Sequence, residues 1–71
     1  MIKQFPEIRP YDIVQVGHDK EFRYICSDKC EVVDDMLHIN EDPSDDVEIC
    51  GITEVWREVD SDTIKCIWRR D

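Results

Sequence analysis

The sequence predicts a mainly β fold, with one domain over residues 1–71 made of five short strands that close as a small barrel or form a strongly bent antiparallel sheet. Two patterns and a size limit lead there. Apolar residues recur at a spacing of two, as in Phe22, Tyr24 and Cys26 or Ile64, Cys66 and Trp68, which is the period of a half-buried strand. Clusters of Gly, Asp, Asn, Ser and Pro separate these runs, and no stretch carries a convincing helical pattern. A chain this short buries only about 60 % of its unfolded surface, so one core is the limit, and a small sheet must bury one face against itself.

Pro6 and Pro10 bracket Glu7-Ile8-Arg9 and keep the opening extended or turned, because proline also pushes its predecessor towards β space. Tyr11 to Val16 reads as the first strand, ended by Gly17, with His18-Asp19-Lys20 as its loop. Glu21 to Cys26 is the second. Cys30 to Val33 and Met36 to Ile39, separated by Asp34-Asp35, fit either a hairpin or one irregular strand with a bend. Asn40 to Asp46 is loop, having no apolar residue but proline. Val47 to Val59 reads as one long strand in which Gly51 marks a bulge or sharp bend, and Thr63 to Arg69 as the last strand after the turn Asp60-Ser61-Asp62. The expected core is Val14, Val16, Phe22, Tyr24, Cys26, Val32, Leu37, Ile39, Ile49, Val55, Ile64, Cys66 and Trp68. Trp56 shares parity with Glu54 and Glu58 and is the tryptophan expected outside.

Ile8-Arg9-Pro10-Tyr11-Asp12-Ile13-Val14-Gln15-Val16 resembles the first strand of SH3-like barrels, in which a Pro- or Gly-led turn with an acidic residue precedes Val/Ile alternation. Gly51 to Arg57 followed by Cys66 to Arg70 resembles the closing hairpin of small proteins carried by bacteriophages and integrated elements. Together the two closing stretches cover under half of the chain. The resemblance implies a five-stranded SH3-like barrel and a mobile-element origin, and brings no catalytic or binding residue with it.

The chain has 18 acidic and 9 basic residues, and its net charge of −9 disfavours unaided binding to a nucleic-acid backbone, whose affinity comes from Lys and Arg displacing counterions. From Asp28 to Glu48 nine carboxylates face the single cation Lys29, a net of −8. A basic partner surface is therefore favoured, with Asp34, Asp35, Glu41, Asp42, Asp45, Asp46 and Glu48 as candidate contacts. With the suspected origin, this suggests a non-enzymatic inhibitor that docks on a nucleic-acid-binding surface of a host defence protein such as a nucleic-acid-guided nuclease, an anti-CRISPR type of protein. The alternative is a nucleic-acid-directed accessory protein or metal-dependent DNA nickase, in which Arg57, Arg69 and Arg70 with Trp56 contact nucleic acid by charge and stacking. Salt bridging of those cations to Glu54 and Glu58 competes with that role.

Catalytic motifs are absent from the sequence. Gly17 and Gly51 are the only glycines, too few for a phosphate loop, and neither His18 nor His38 stands in a nucleophile pattern. The acidic loop lacks the alternating ligands and central glycine of a calcium-binding hand, so no metal or cofactor is expected. Of the four cysteines only Cys26 and Cys30 are close-spaced, which favours buried thiols over a zinc site or a disulfide without excluding either. No apolar leader or membrane-length stretch is visible, so a cytoplasmic protein in the host cell is expected, with no membrane partner. Both a monomer and a homodimer are compatible with a small sheet whose edges can pair. Native mass spectrometry should show the bare reduced chain; a gain of one zinc, or the loss of two or four hydrogens to disulfides, would contradict the cysteine reading.

Overall fold

In the computed structural model, which describes residues 4–70, the two-residue alternation is realised as seven strands in two antiparallel sheets. β1 (Ile13–Val16), β2 (Arg23–Ile25), β6 (Ile52–Asp60) and β7 (Thr63–Arg69) form the first, in the order β2-β1-β6-β7. β3 (Glu31–Val33), β4 (Met36–His38) and β5 (Val47–Glu48) form the second, in sequence order. Neither sheet closes on itself, so the β class holds while the expected five-stranded barrel gives way to two stacked layers. Among the described residues the only helical turns are three short 3-10 segments, at Lys20–Phe22, Pro43–Asp45 and Ile49–Gly51.

The expected long strand from Val47 to Val59 is cut by the last of these turns. Ile49 N–H donates to Asp35 O at 2.9 Å and Gly17 N–H to Gly51 O at 3.0 Å, and between those two bonds the chain leaves the second sheet and enters the first. Gly51, marked in the sequence as a bend, is the crossing point. Residues 30–39 resolve as a hairpin: Val33 pairs with Met36, leaving Asp34 and Asp35 as a two-residue turn with Asp34 at φ +55°. Aspartate tolerates that left-handed conformation better than most side chains do.

The core is small. Val14, Ile52 and Val55 of the first sheet meet Leu37 and Ile39 of the second, with Cys26 between them, and Phe5, Ile8, Cys30, Val47, Ile49, Ile67 and Trp68 pack around this cluster. Four expected core residues, Phe22, Tyr24, Val32 and Ile64, are exposed. Each has a local cause. Phe22 belongs to a 3-10 turn rather than to β2, Tyr24 and Val32 lie on edge strands, and Ile64 pairs with Glu58, beyond the reach of β1.

Irregular register explains the other differences. Val55 pairs with Trp68 and Trp56 with Cys66, so Ile67 is an extra residue in β7. A bulge of this kind reverses the alternation that follows it. Trp68 therefore lies opposite buried Val55, while Cys66 joins Trp56 on the other face. A second shift, between Gln15 and Val16 against β6, pairs Val16 with Ile52 and brings Ile52 into the core, where simple parity with Val55 would have excluded it.

Two polar residues, Asp12 and Gln15, are also buried among the described residues. Asp12 is 1 % exposed, and its carboxylate accepts from Arg57 Nε at 2.9 Å, Arg57 Nη2 at 2.8 Å and Arg9 N–H at 2.9 Å. Arg57 Nη2 also donates to Glu7 O at 2.9 Å, and the Asp12 backbone carbonyl accepts from Cys26 N–H at 2.8 Å. The pair thus ties the N-terminal segment to β6 and to the end of β2. Removing one member of such a pair strands the other. Asp12→Ala should cost about 3 kcal/mol, read as a lower urea midpoint at unchanged slope. Arg57→Lys should recover little of the stability lost in Arg57→Ala, since an ammonium cannot replace the two-pronged contact.

Candidate functional site

The second sheet and its connections carry the acidic segment. Alternation turns Leu37, with its neighbours Val32 and Val47, towards the first sheet and places Glu31, Met36, His38 and Glu48 on the opposite side. Asp34 and Asp35 form the turn at one end of the β3–β4 hairpin, and the connection from Asn40 to Asp46 leaves from the other.

That connection is ordered by its own side chains. Asn40 Oδ1 accepts from Asp42 N–H at 2.7 Å, and Asn40 Nδ2 donates to Asp45 Oδ2 at 3.0 Å. Asp42 Oδ1 accepts from Ser44 N–H at 3.0 Å and from the Ser44 hydroxyl at 2.8 Å, capping the turn that Pro43 opens. These donors favour the charged form, the backbone N–H most, and hold Asp42 below the ordinary aspartate value. The carboxylates thus stand on a fixed frame.

Two of the seven candidate carboxylates are paired. Glu41 meets Lys29 at 2.9 Å, and Asp46 Oδ1 lies 2.8 Å from His38 Nδ1. Asp46 Oδ1 is buried and has no other partner, so the contact is satisfied only when His38 Nδ1 carries its proton. No sequence motif marks a histidine and an aspartate eight residues apart as partners. Among the described residues, Asp34, Asp35, Asp42, Asp45 and Glu48 have no cation within ion-pair distance. Glu48 accepts only a weak bond from the Cys50 thiol at 3.6 Å.

The residues of the alternative site are engaged by partners within the chain. Arg57 is held by Asp12, whose hydrogen bonds raise the guanidinium above its ordinary value. Arg70 donates to Ile52 O at 3.0 Å and Ile49 O at 2.9 Å, and lies 5.0 Å from the centre of the Trp68 ring. Arg69 approaches Glu54 at 3.5 Å, and Arg23 reaches the same carboxylate at 3.9 Å. Trp56 donates to Glu54 at 2.9 Å beneath the Arg23 guanidinium, 5.2 Å from its ring centre. The expected competition from Glu54 is therefore present for Arg69, whereas Arg57 is taken by a residue far away in sequence.

No family model, curated relative or solved structure matches the chain. The residues themselves carry the functional argument. Among the described residues no three His, Cys, Asp or Glu side chains come together as a metal site, and no helix is long and apolar enough to cross a membrane.

The four cysteines are free and sit in different surroundings: Cys26 buried, Cys30 and Cys66 half-buried, Cys50 exposed. Burial, reinforced by neighbouring Cys30 and Asp12, pushes the Cys26 thiol up to about 12. It stays protonated at neutral and mildly alkaline pH, and the thiolate is the reactive form. Limited alkylation of the native protein at about pH 8 should therefore label Cys50 first and Cys26 last, with Cys26 gaining reactivity only on unfolding. Early labelling of Cys26, read by peptide mass mapping, would show that its burial is wrong.

Proposed function

We propose that the protein is a non-enzymatic binding module whose acidic sheet docks on a basic, nucleic-acid-binding surface of a host defence protein, in the manner of an anti-CRISPR inhibitor carried by a phage. One observation carries this reading. Five carboxylates, Asp34, Asp35, Asp42, Asp45 and Glu48, are left without a cation among the described residues on one ordered sheet and its loops, while Arg23, Arg57, Arg69 and Arg70 on the other side are engaged by Glu54, Asp12 and backbone carbonyls. Such a division suits a surface that imitates the charge of a nucleic acid, because carboxylates that no neighbouring cation offsets attract a basic groove.

Rigidity supports the same reading. The Asn40–Asp45 and Asp42–Ser44 hydrogen bonds fix the loop before any partner arrives, and a surface already in its bound shape loses less entropy on docking. The seat of function is then the outward side of the second sheet and its two ends. Glu41 and Asp46 belong to the patch, with Glu41 paired to Lys29 and Asp46 in contact with His38.

The test is DNA cleavage by a purified host RNA-guided nuclease, with the protein added before the DNA. The triple variant Asp34→Asn, Asp42→Asn and Asp45→Asn removes three of the nine net negative charges and keeps an acceptor oxygen at every site, so the turn and the cap remain. Wild type should inhibit by competing with DNA. The variant should inhibit about tenfold less well at low salt, with the gap narrowing as ionic strength rises. Equal inhibition by both proteins would exclude charge docking, and nicking of supercoiled plasmid by the protein with magnesium would favour the nucleic-acid-directed alternative.

A further inference from the structure

A cleft of about 600 Å³ opens where the Asp34–Asp35 turn and the Ile49–Gly51 crossing meet the end of β7. Its apolar lining is Phe5, Met36, Ile49 and Trp68, with Phe5 and Trp68 edge to face at 5.0 Å between ring centres. Asp35 and Glu48, both without a cation, line it too. Arg70 lines it as well, its guanidinium over Trp68 and hydrogen-bonded to Ile49 O and Ile52 O, so the two carboxylates exceed the one cation by a single negative charge. Trp68 Nε1 is buried and has no acceptor.

We propose that this cleft seats one apolar side chain of a cationic polypeptide segment, with Lys or Arg neighbours of that side chain meeting Asp35 and Glu48. The inference rests on the acidic-surface reading and sharpens it, naming the anchor and the kind of sequence that supplies it. Each part of the ligand answers a part of the site. The aromatic and aliphatic lining takes a leucine-sized group, and the two carboxylates select positive charge on either side of it. A nucleic-acid strand fits poorly, since its phosphates would face the carboxylates, and an uncharged apolar molecule would leave the carboxylates unused.

The experiment is an amide and indole NMR titration of the full chain with two capped pentapeptides, one with leucine between two pairs of cationic residues and one with serine in its place. The leucine peptide should bind about tenfold more tightly. It should also shift the Trp68 indole N–H downfield together with the Ile49 and Cys50 amides. Cys50→Trp, which fills the cleft from an exposed position, should abolish the preference for leucine while leaving the Asn40–Asp46 loop signals in place. Asp35→Asn with Glu48→Gln should weaken binding of both peptides and flatten its salt dependence. If both peptides bind equally and move only the Asn40–Asp46 loop, the cleft is not the anchor site although the acidic surface stands. If neither peptide binds at low salt, both readings fall.

Discussion

The fold depends on the buried pairing of Asp12 with Arg57. A domain with six buried apolar residues has little core to hold it, and the N-terminal segment, the end of β2 and the middle of β6 converge on this one carboxylate. Charge burial is normally costly, and here the cost is offset because both oxygens are occupied by directed donors. The same contact determines what Arg57 can do. A guanidinium committed to two oxygens of Asp12 and to the Glu7 carbonyl is a structural group, and the strongest cation of the first sheet is thereby removed from its surface.

Charge is sorted between the layers by the same logic of local satisfaction. In the first sheet Glu54 lies between Arg23 and Arg69, Asp12 holds Arg57, and Arg70 donates to backbone carbonyls. In the second, Lys29 meets Glu41 and His38 Nδ1 lies against Asp46. The excess negative charge is a property of one face, and a long-range field with a direction follows from that asymmetry.

Much of this was legible in the sequence, and the failures come from placement that periodicity does not record. Strand segments, the bend at Gly51 and the acidic loop could be read because each depends on residues near one another in the chain. The core list failed where a single inserted residue reversed the alternation: Ile67 turned Trp68 and Cys66 to opposite sides, and the shift beside Val16 exchanged Ile52 for residues expected inside. Bulges are set by the pairing partner, which periodicity does not see. The acidic residues were found by composition alone. Their division into paired and unpaired groups, the His38–Asp46 contact and the cleft beside Trp68 all arise from tertiary placement, as do the partners that Arg57 and Arg70 take in Asp12 and the backbone.

The order of the strands has a consequence for how such a chain can change. The first sheet is discontinuous, with β1 and β2 before the second sheet and β6 and β7 after it, and the excursion between them leaves at Cys26 and returns at Gly51. Both gates are bolted to the first sheet through the backbone, Tyr11 N–H to Cys26 O and Gly17 N–H to Gly51 O. The second sheet is in effect a cassette, held by two main-chain clasps and by the apolar plug of Leu37 and Ile39. Substitutions elsewhere in it, and changes in the length of its loops, can rewrite the outward surface while the frame that carries it keeps its register.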